Sequence, residues 1–169
     1  PIHPCSHPLR NWTSNGENDL AGYNLYRADS AAGTFVRVNA NPIVSGEGST
    51  SYQDEGLKIA VKYYYRLKAI DIAGNESLPT QTLSVVTPGI LAENRTWKVS
   101  ESPYIVQGDI RVRGGSVLTI EPGTEIRFTR SDAIPDSLGS NMADLIIQGG
   151  LMAVGAENVS QIGAARANP

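Results

Sequence analysis

Tyr63-Tyr64-Tyr65-Arg66-Leu67-Lys68-Ala69-Ile70, running into Asp71-Ile72-Ala73-Gly74-Asn75, decides how the first half of the chain folds. Side chains along a strand alternate between its two faces, so Tyr63, Tyr65, Leu67 and Ala69 share one face and Tyr64, Arg66, Lys68 and Ile70 the other. The first set is fit for burial, the second carries charge, and the Asp, Gly and Asn that follow are turn formers. The stretch therefore predicts a strand ending in a hairpin turn. Outward from it, residues 22–28, 34–38, 49–53 and 80–87 read as further strands, separated by glycine or asparagine turns at the roughly 8–12-residue spacing of a β-sandwich. Thr87-Pro88-Gly89 closes this block, because proline brings no ladder donor and glycine relaxes the backbone.

Beyond Gly89 the texture changes to short Ile, Val and Leu segments broken by glycines. A shift of 41 positions lays Val106-Gln107-Gly108 on Ile147-Gln148-Gly149, Ile110 on Leu151, Val112 on Ala153 and Gly114 on Gly155. Each segment is too short to bury its own face. Stacking them in coils of roughly twenty residues would place Ile110, Val112, Leu151 and Ala153 in one buried row, the logic of a β-solenoid. Residues 131–142, rich in Asp, Ser, Gly and Asn, read as a loop ejected from one corner.

The chain has 169 residues, 40% of them apolar and 18% charged, with 17 glycines and 10 prolines. That balance fits a packed, turn-rich protein with room for two modules. No apolar run approaches the ~20 residues of a membrane-spanning helix. A net charge of −3 without a basic cluster in the sequence gives no footprint for nucleic acid.

Asp19-Leu20-Ala21-Gly22-Tyr23-Asn24-Leu25-Tyr26-Arg27, then Gly56-Leu57, Tyr63 and Ala69-Ile70-Asp71-Ile72-Ala73-Gly74-Asn75-Glu76-Ser77 resemble bacterial fibronectin type III modules over residues 12–88. The resemblance implies that Tyr63 is a tyrosine-corner residue, its ring in the core and its hydroxyl returning to backbone near Leu57, and that Trp12 is the core tryptophan. Pro8 and Arg10 stand where that family carries apolar residues, so its opening strand is expected to be absent or replaced. Trp97, Ser102-Pro103-Tyr104-Ile105-Val106 and Leu118-Thr119-Ile120-Glu121-Pro122-Gly123-Thr124 resemble the opening coils of a right-handed parallel β-helix of the pectin-lyase-like kind. The expected organisation is an N-terminal arm at 1–10, a fibronectin type III-like sandwich at 11–88 and the front of a β-helix at 89–169, all-β throughout.

Site chemistry is sparse. His3, Cys5 and His7 hold every histidine and cysteine of the chain. Their spacing points three side chains the same way along an extended strand, as a zinc or copper site would need. A structural zinc takes four ligands and the histidines are exhausted, so no metal and no cofactor is expected. A triad is disfavoured because both histidines sit in the arm. Asp71, Asn75 and Glu76 could surround a calcium ion, although Asp and Asn at turns are expected for their local hydrogen bonds. Asn-x-Ser/Thr sequons at Asn11, Asn75, Asn94 and Asn158 are candidate glycosylation acceptors. The sequence thus predicts a non-catalytic extracellular or cell-surface structural or adhesive protein, a fibre subunit assembling head to tail through open β edges. The alternative is the non-catalytic front of a β-helical polysaccharide-acting enzyme, or a carbohydrate-binding accessory module.

Overall fold

A computed structural model describes residues 7–12, 17–44, 50–129 and 143–155. The described residues are almost entirely β, and they fall into two compact units: Pro1–Leu57 with Lys62–Ser84, and Lys58–Val61 with Val85–Pro169.

In the first unit, β1 (His7–Trp12) pairs antiparallel with β4 (Thr50–Asp54). A second sheet is built on β2 (Leu20–Ala28), with β3 (Val36–Arg37) on one side and β5 (Lys62–Asp71) on the other, both antiparallel. Of the expected arm at 1–10, residues 1–6 lie outside the described residues, and His7–Arg10 belong to a strand. Pro8 is compatible with it because, among the described residues, β1 pairs only with β4, and a missing donor is tolerated on an edge strand. Tyr63, Tyr65 and Leu25 lie on the inner face, and the two tyrosines and the leucine are buried. The alternation fails at Lys62 and Tyr64, which are buried as well although they point outward; the Lys62 ammonium stands 5.1 Å from the centre of the Tyr64 ring. After the turn, the chain runs back along β5, with Ser77 and Thr80 donating backbone N–H groups to the carbonyls of Ala69 and Leu67. It then enters β6 (Leu83–Val86).

The second unit is a stack of parallel coils with three faces. β7 (Gly89–Leu91), β10 (Ile110–Val112) and β13 (Leu145–Ile147) form one sheet, and β8 (Arg95–Trp97), β11 (Val117–Ile120) and β14 (Gly150–Ala153) form the next. β9 (Tyr104–Val106) and β12 (Ile126–Phe128) make the third face. Leu91, Trp97, Tyr104, Val106, Ile110, Val112 and Leu118 form the buried core. Trp97 and Tyr104 stack with ring centroids 4.8 Å apart, and the indole N–H donates to the carbonyl of Ala60 at 2.9 Å. Ala60 and Val86 are themselves buried in that core, at the start of the stack.

Side chains at the corners tie coil to coil. Asn94 accepts from the Val117 N–H, Glu121 from Val99, Ser102 from Glu125 and Asp109 from Asp144. Such bonds satisfy backbone donors that the short strands leave over.

The register differs from the 41-residue repeat. Ile110 pairs with Leu145 and Val112 with Ile147, whereas Leu151 lies beside Leu118 and Ala153 beside Ile120. Ile110 and Leu151 therefore belong to different sheets, and Ala153 is exposed rather than part of a buried row. The cause is a corner used twice: Val106-Gln107-Gly108 leads from β9 to β10, and Ile147-Gln148-Gly149 leads from β13 to β14. Matching the two superposes different corners of the coil.

Gly149 is required by close approach. A Cβ there would sit 2.2 Å from the Arg113 carbonyl oxygen and 2.3 Å from that of Ser116. Both obstacles are backbone, so the third coil must lift off the second. Gly149→Ala is expected to cost about 1–3 kcal/mol, the range of overpacking. The check is amide exchange at Gly150, whose N–H donates to Ser116 at 2.8 Å; unchanged protection there would contradict the packing.

Candidate functional site

The richest polar arrangement lies on the outer face of the β3–β2–β5 sheet. Register places Tyr26 opposite Arg37 on one side and Arg66 on the other, with Asn24 opposite Lys68. Cations lie over rings: the Arg66 guanidinium is 4.0 Å from the Phe35 centroid and the Lys68 ammonium 5.2 Å from that of Tyr26. Arg66 Nε also donates to Thr82 Oγ1 at 2.9 Å. Arg37 donates from Nε to the Asn39 carbonyl and from Nη2 to that of Ala40.

Glu76 is the carboxylate bonded within this face. Asn24 Nδ2 donates to its Oε1 at 2.6 Å, the Tyr26 hydroxyl to the same oxygen at 2.5 Å, and Lys68 Nζ to Oε2 at 3.0 Å. The turn before it delivers the side chain. Asp71 Oδ1 accepts from the backbone N–H of Ala73 and Asn75, and Asn75 Nδ2 donates to Asp71 Oδ2, folding the chain back along β5, where Glu76 bridges Ile70. Both oxygens of Asp71 are thus used by the turn, as its local hydrogen-bonding role requires.

The hydrogen bonds from Tyr26, Asn24 and Lys68 stabilise the charged form of Glu76 and lower its pKa from 4.5 to about 2. A depressed carboxylate stabilises the fold above its unfolded-state pKa, and that stabilisation is lost as pH falls through the folded value. Melting temperature is therefore expected to fall between pH 4.5 and about 2 by more in the native protein than in Glu76→Gln. Parallel melting curves for the two proteins across that window would contradict the assignment.

The inner face carries a second network. Arg27 Nη1 donates to both oxygens of Asp54, at 2.9 and 2.8 Å, and the Tyr65 hydroxyl donates to Oδ2 at 2.9 Å. The guanidinium also lies 5.3 Å from the Tyr63 ring. Burial, then the Asp54 charge, pushes the Tyr65 hydroxyl well above the ordinary tyrosine pKa, keeping it a donor. An open groove of about 500 Å³, bordered by Arg27, Thr34, Val36, Arg37, Asp54 and Glu55, runs beside this network.

The residues singled out from sequence are scattered. His3, Cys5 and Asn158 lie outside the described residues. His7, Asn11 and Trp12 fall in β1. Leu57 is half-buried, Tyr63 is 7% exposed in β5, and Asn75 and Asn94 sit exposed at turns. Among the described residues no group of His, Cys, Asp and Glu is placed to hold a metal. Trp97 and most of the described tyrosines are buried, leaving Tyr26 and Tyr52 half-exposed. Sequence reading passed over the pairing of Arg27 with Asp54, and took Glu76 only as a candidate calcium neighbour rather than as the acceptor of Asn24, Tyr26 and Lys68. A signal for the first existed: alternation along β2 puts Arg27 on the face of Tyr23 and Leu25, and a charge on an apolar face demands a partner.

No protein-family model matches the chain. Exoglucanase B of Cellulomonas fimi is 34% identical over 77 residues, a match covering 45% of this chain and 6% of that protein. An amylopullulanase of Thermoanaerobacterium saccharolyticum is 33% identical over 73 residues, 38% of this chain and 5% of its length. The chain thus spans only a small fraction of these relatives. Among solved structures, pectate lyase PelI of Erwinia chrysanthemi aligns with 12% identity and a TM-score of 0.37, covering 89% of this chain and 55% of that one. No helix among the described residues is long and apolar enough to cross a membrane.

Proposed function

We propose that the chain is a non-catalytic accessory region of an extracellular polysaccharide-acting protein. In this reading the first unit is a fibronectin type III-like module and the second the opening of a pectin-lyase-like β-helix. One observation carries it: segments of 77 and 73 residues resemble small parts, 6% and 5%, of an exoglucanase and an amylopullulanase. A stretch that size is one module, and modules shared among enzymes with different names supply something other than the reaction itself. The comparisons favour this reading over the fibre subunit, whose head-to-tail contacts they do not touch. The sequons at Asn11, Asn75, Asn94 and Asn158 accord with export.

Fusion to a catalytic domain tests the proposal. With the chain joined to an endoglucanase domain and, separately, to a polygalacturonase domain, KM on at least one polymer should fall several-fold while kcat on a small soluble substrate stays fixed. Identical kinetics with and without the chain on both polymers would overturn it.

A further inference from the structure

We infer that the outer face of the β3–β2–β5 sheet binds an anionic polysaccharide, the guanidinium groups of Arg37 and Arg66 taking its carboxylates. This deepens the accessory reading and rests on it. The chain as a whole carries a net charge of −3, yet this face presents Arg37, Arg66 and Lys68. Its bonded carboxylate, Glu76, is held by Lys68, Tyr26 and Asn24. Neither Arg37 nor Arg66 enters an ion pair among the described residues, whereas the arginines at 27, 95 and 127 each do.

Both side chains are also held in place. Arg66 lies on the Phe35 ring, with Nε fixed by Thr82, and the two Arg37 donors engaged by backbone carbonyls orient its fork. Their strands flank β2, which sets the two backbones about 10 Å apart, with half-exposed Tyr26 between them. A planar guanidinium matches a carboxylate in geometry as well as charge, and two on a flat sheet face suit a polymer carrying carboxylates at intervals. The aromatic rings here are covered by cations, so stacking of a neutral sugar is not what the face offers.

Native electrophoresis of the whole chain through gels containing polygalacturonate, amylopectin or single-stranded DNA tests this. Polygalacturonate should retard the protein selectively, and added salt should weaken the effect. Arg37→Gln with Arg66→Gln should lower apparent affinity about tenfold, the loss of two charge-assisted contacts, while Arg37→Lys with Arg66→Lys retains part of it. Should the double glutamine variant unfold, exposed Arg37→Gln alone carries the test, with a several-fold loss. Unchanged retardation in the glutamine variants, no retardation at all, or equal retention by amylopectin or DNA would overturn the inference. A fusion that still gains on a neutral polymer would, in that event, leave the accessory reading standing.

Discussion

Trp97→Ala should destabilise the second unit by about 3–5 kcal/mol, the usual cost of deleting a large buried aromatic side chain. Trp97 is 1% exposed and stacks on Tyr104, which is equally buried. Its loss opens a cavity in the first coil, strips Tyr104 of its stacking partner, and leaves the Ala60 carbonyl without the indole donor. Trp97→Phe keeps most of the volume but not the N–H, so it should recover much of the loss and still fall short by about 1 kcal/mol. Urea unfolding followed by amide exchange in β10 and β11 gives the answer. A loss under about 1 kcal/mol for the alanine variant would mean that the coil core does not close around this ring.

The comparable prediction for the first unit concerns Asp54. Removing one member of a buried ion pair strands the other, and such deletions cost about 3–5 kcal/mol. Asp54 receives both Arg27 and Tyr65, and its side chain is 6% exposed against 28% for Arg27. Asp54→Ala should therefore leave a half-buried guanidinium and a buried hydroxyl without their acceptor. Replacing Arg27 by Met as well should restore part of the stability, because the uncompensated charge leaves with it. Chemical denaturation of the two single variants and the double variant reads this out. Additive losses in the double variant would show that the pair is not coupled.

How much of this was legible in sequence depends on the distance over which the information acts. Alternation is local, so the inward set at Tyr63 and Tyr65 and the turn at Asp71 to Asn75 could be read directly. The split into an antiparallel block and a stack of short parallel strands also followed from punctuation, since Thr87-Pro88-Gly89 and the Gly-paired corners change the spacing. Register was harder. A β-helix has several corners per coil, and the apolar-Gln-Gly signature serves two of them, so the repeat at 41 residues joined β10 to β14 when the ladders join β10 to β13. The ladder partners are also unevenly spaced, Gly89 to Ile110 and then the longer step from Ile110 to Leu145, and the expected loop at 131–142 lies outside the described residues. Side-chain partners were least legible of all. Glu76 meets Asn24 across 52 residues and Asp54 meets Arg27 across 27, distances that no local pattern encodes.

Product release by the isolated chain tests most directly whether this protein serves a polysaccharide-acting partner without performing the reaction. The folded protein, its integrity verified by amide exchange in β5 and β11, would be incubated with cellulose, amylopectin and polygalacturonate. New reducing ends and the ultraviolet absorbance of unsaturated products would be followed, with and without added calcium. The expected result is no release above that of a heat-denatured control on any of the three. Sustained release from any one, copurifying with the chain through successive columns and scaling with its concentration, would contradict a non-catalytic role.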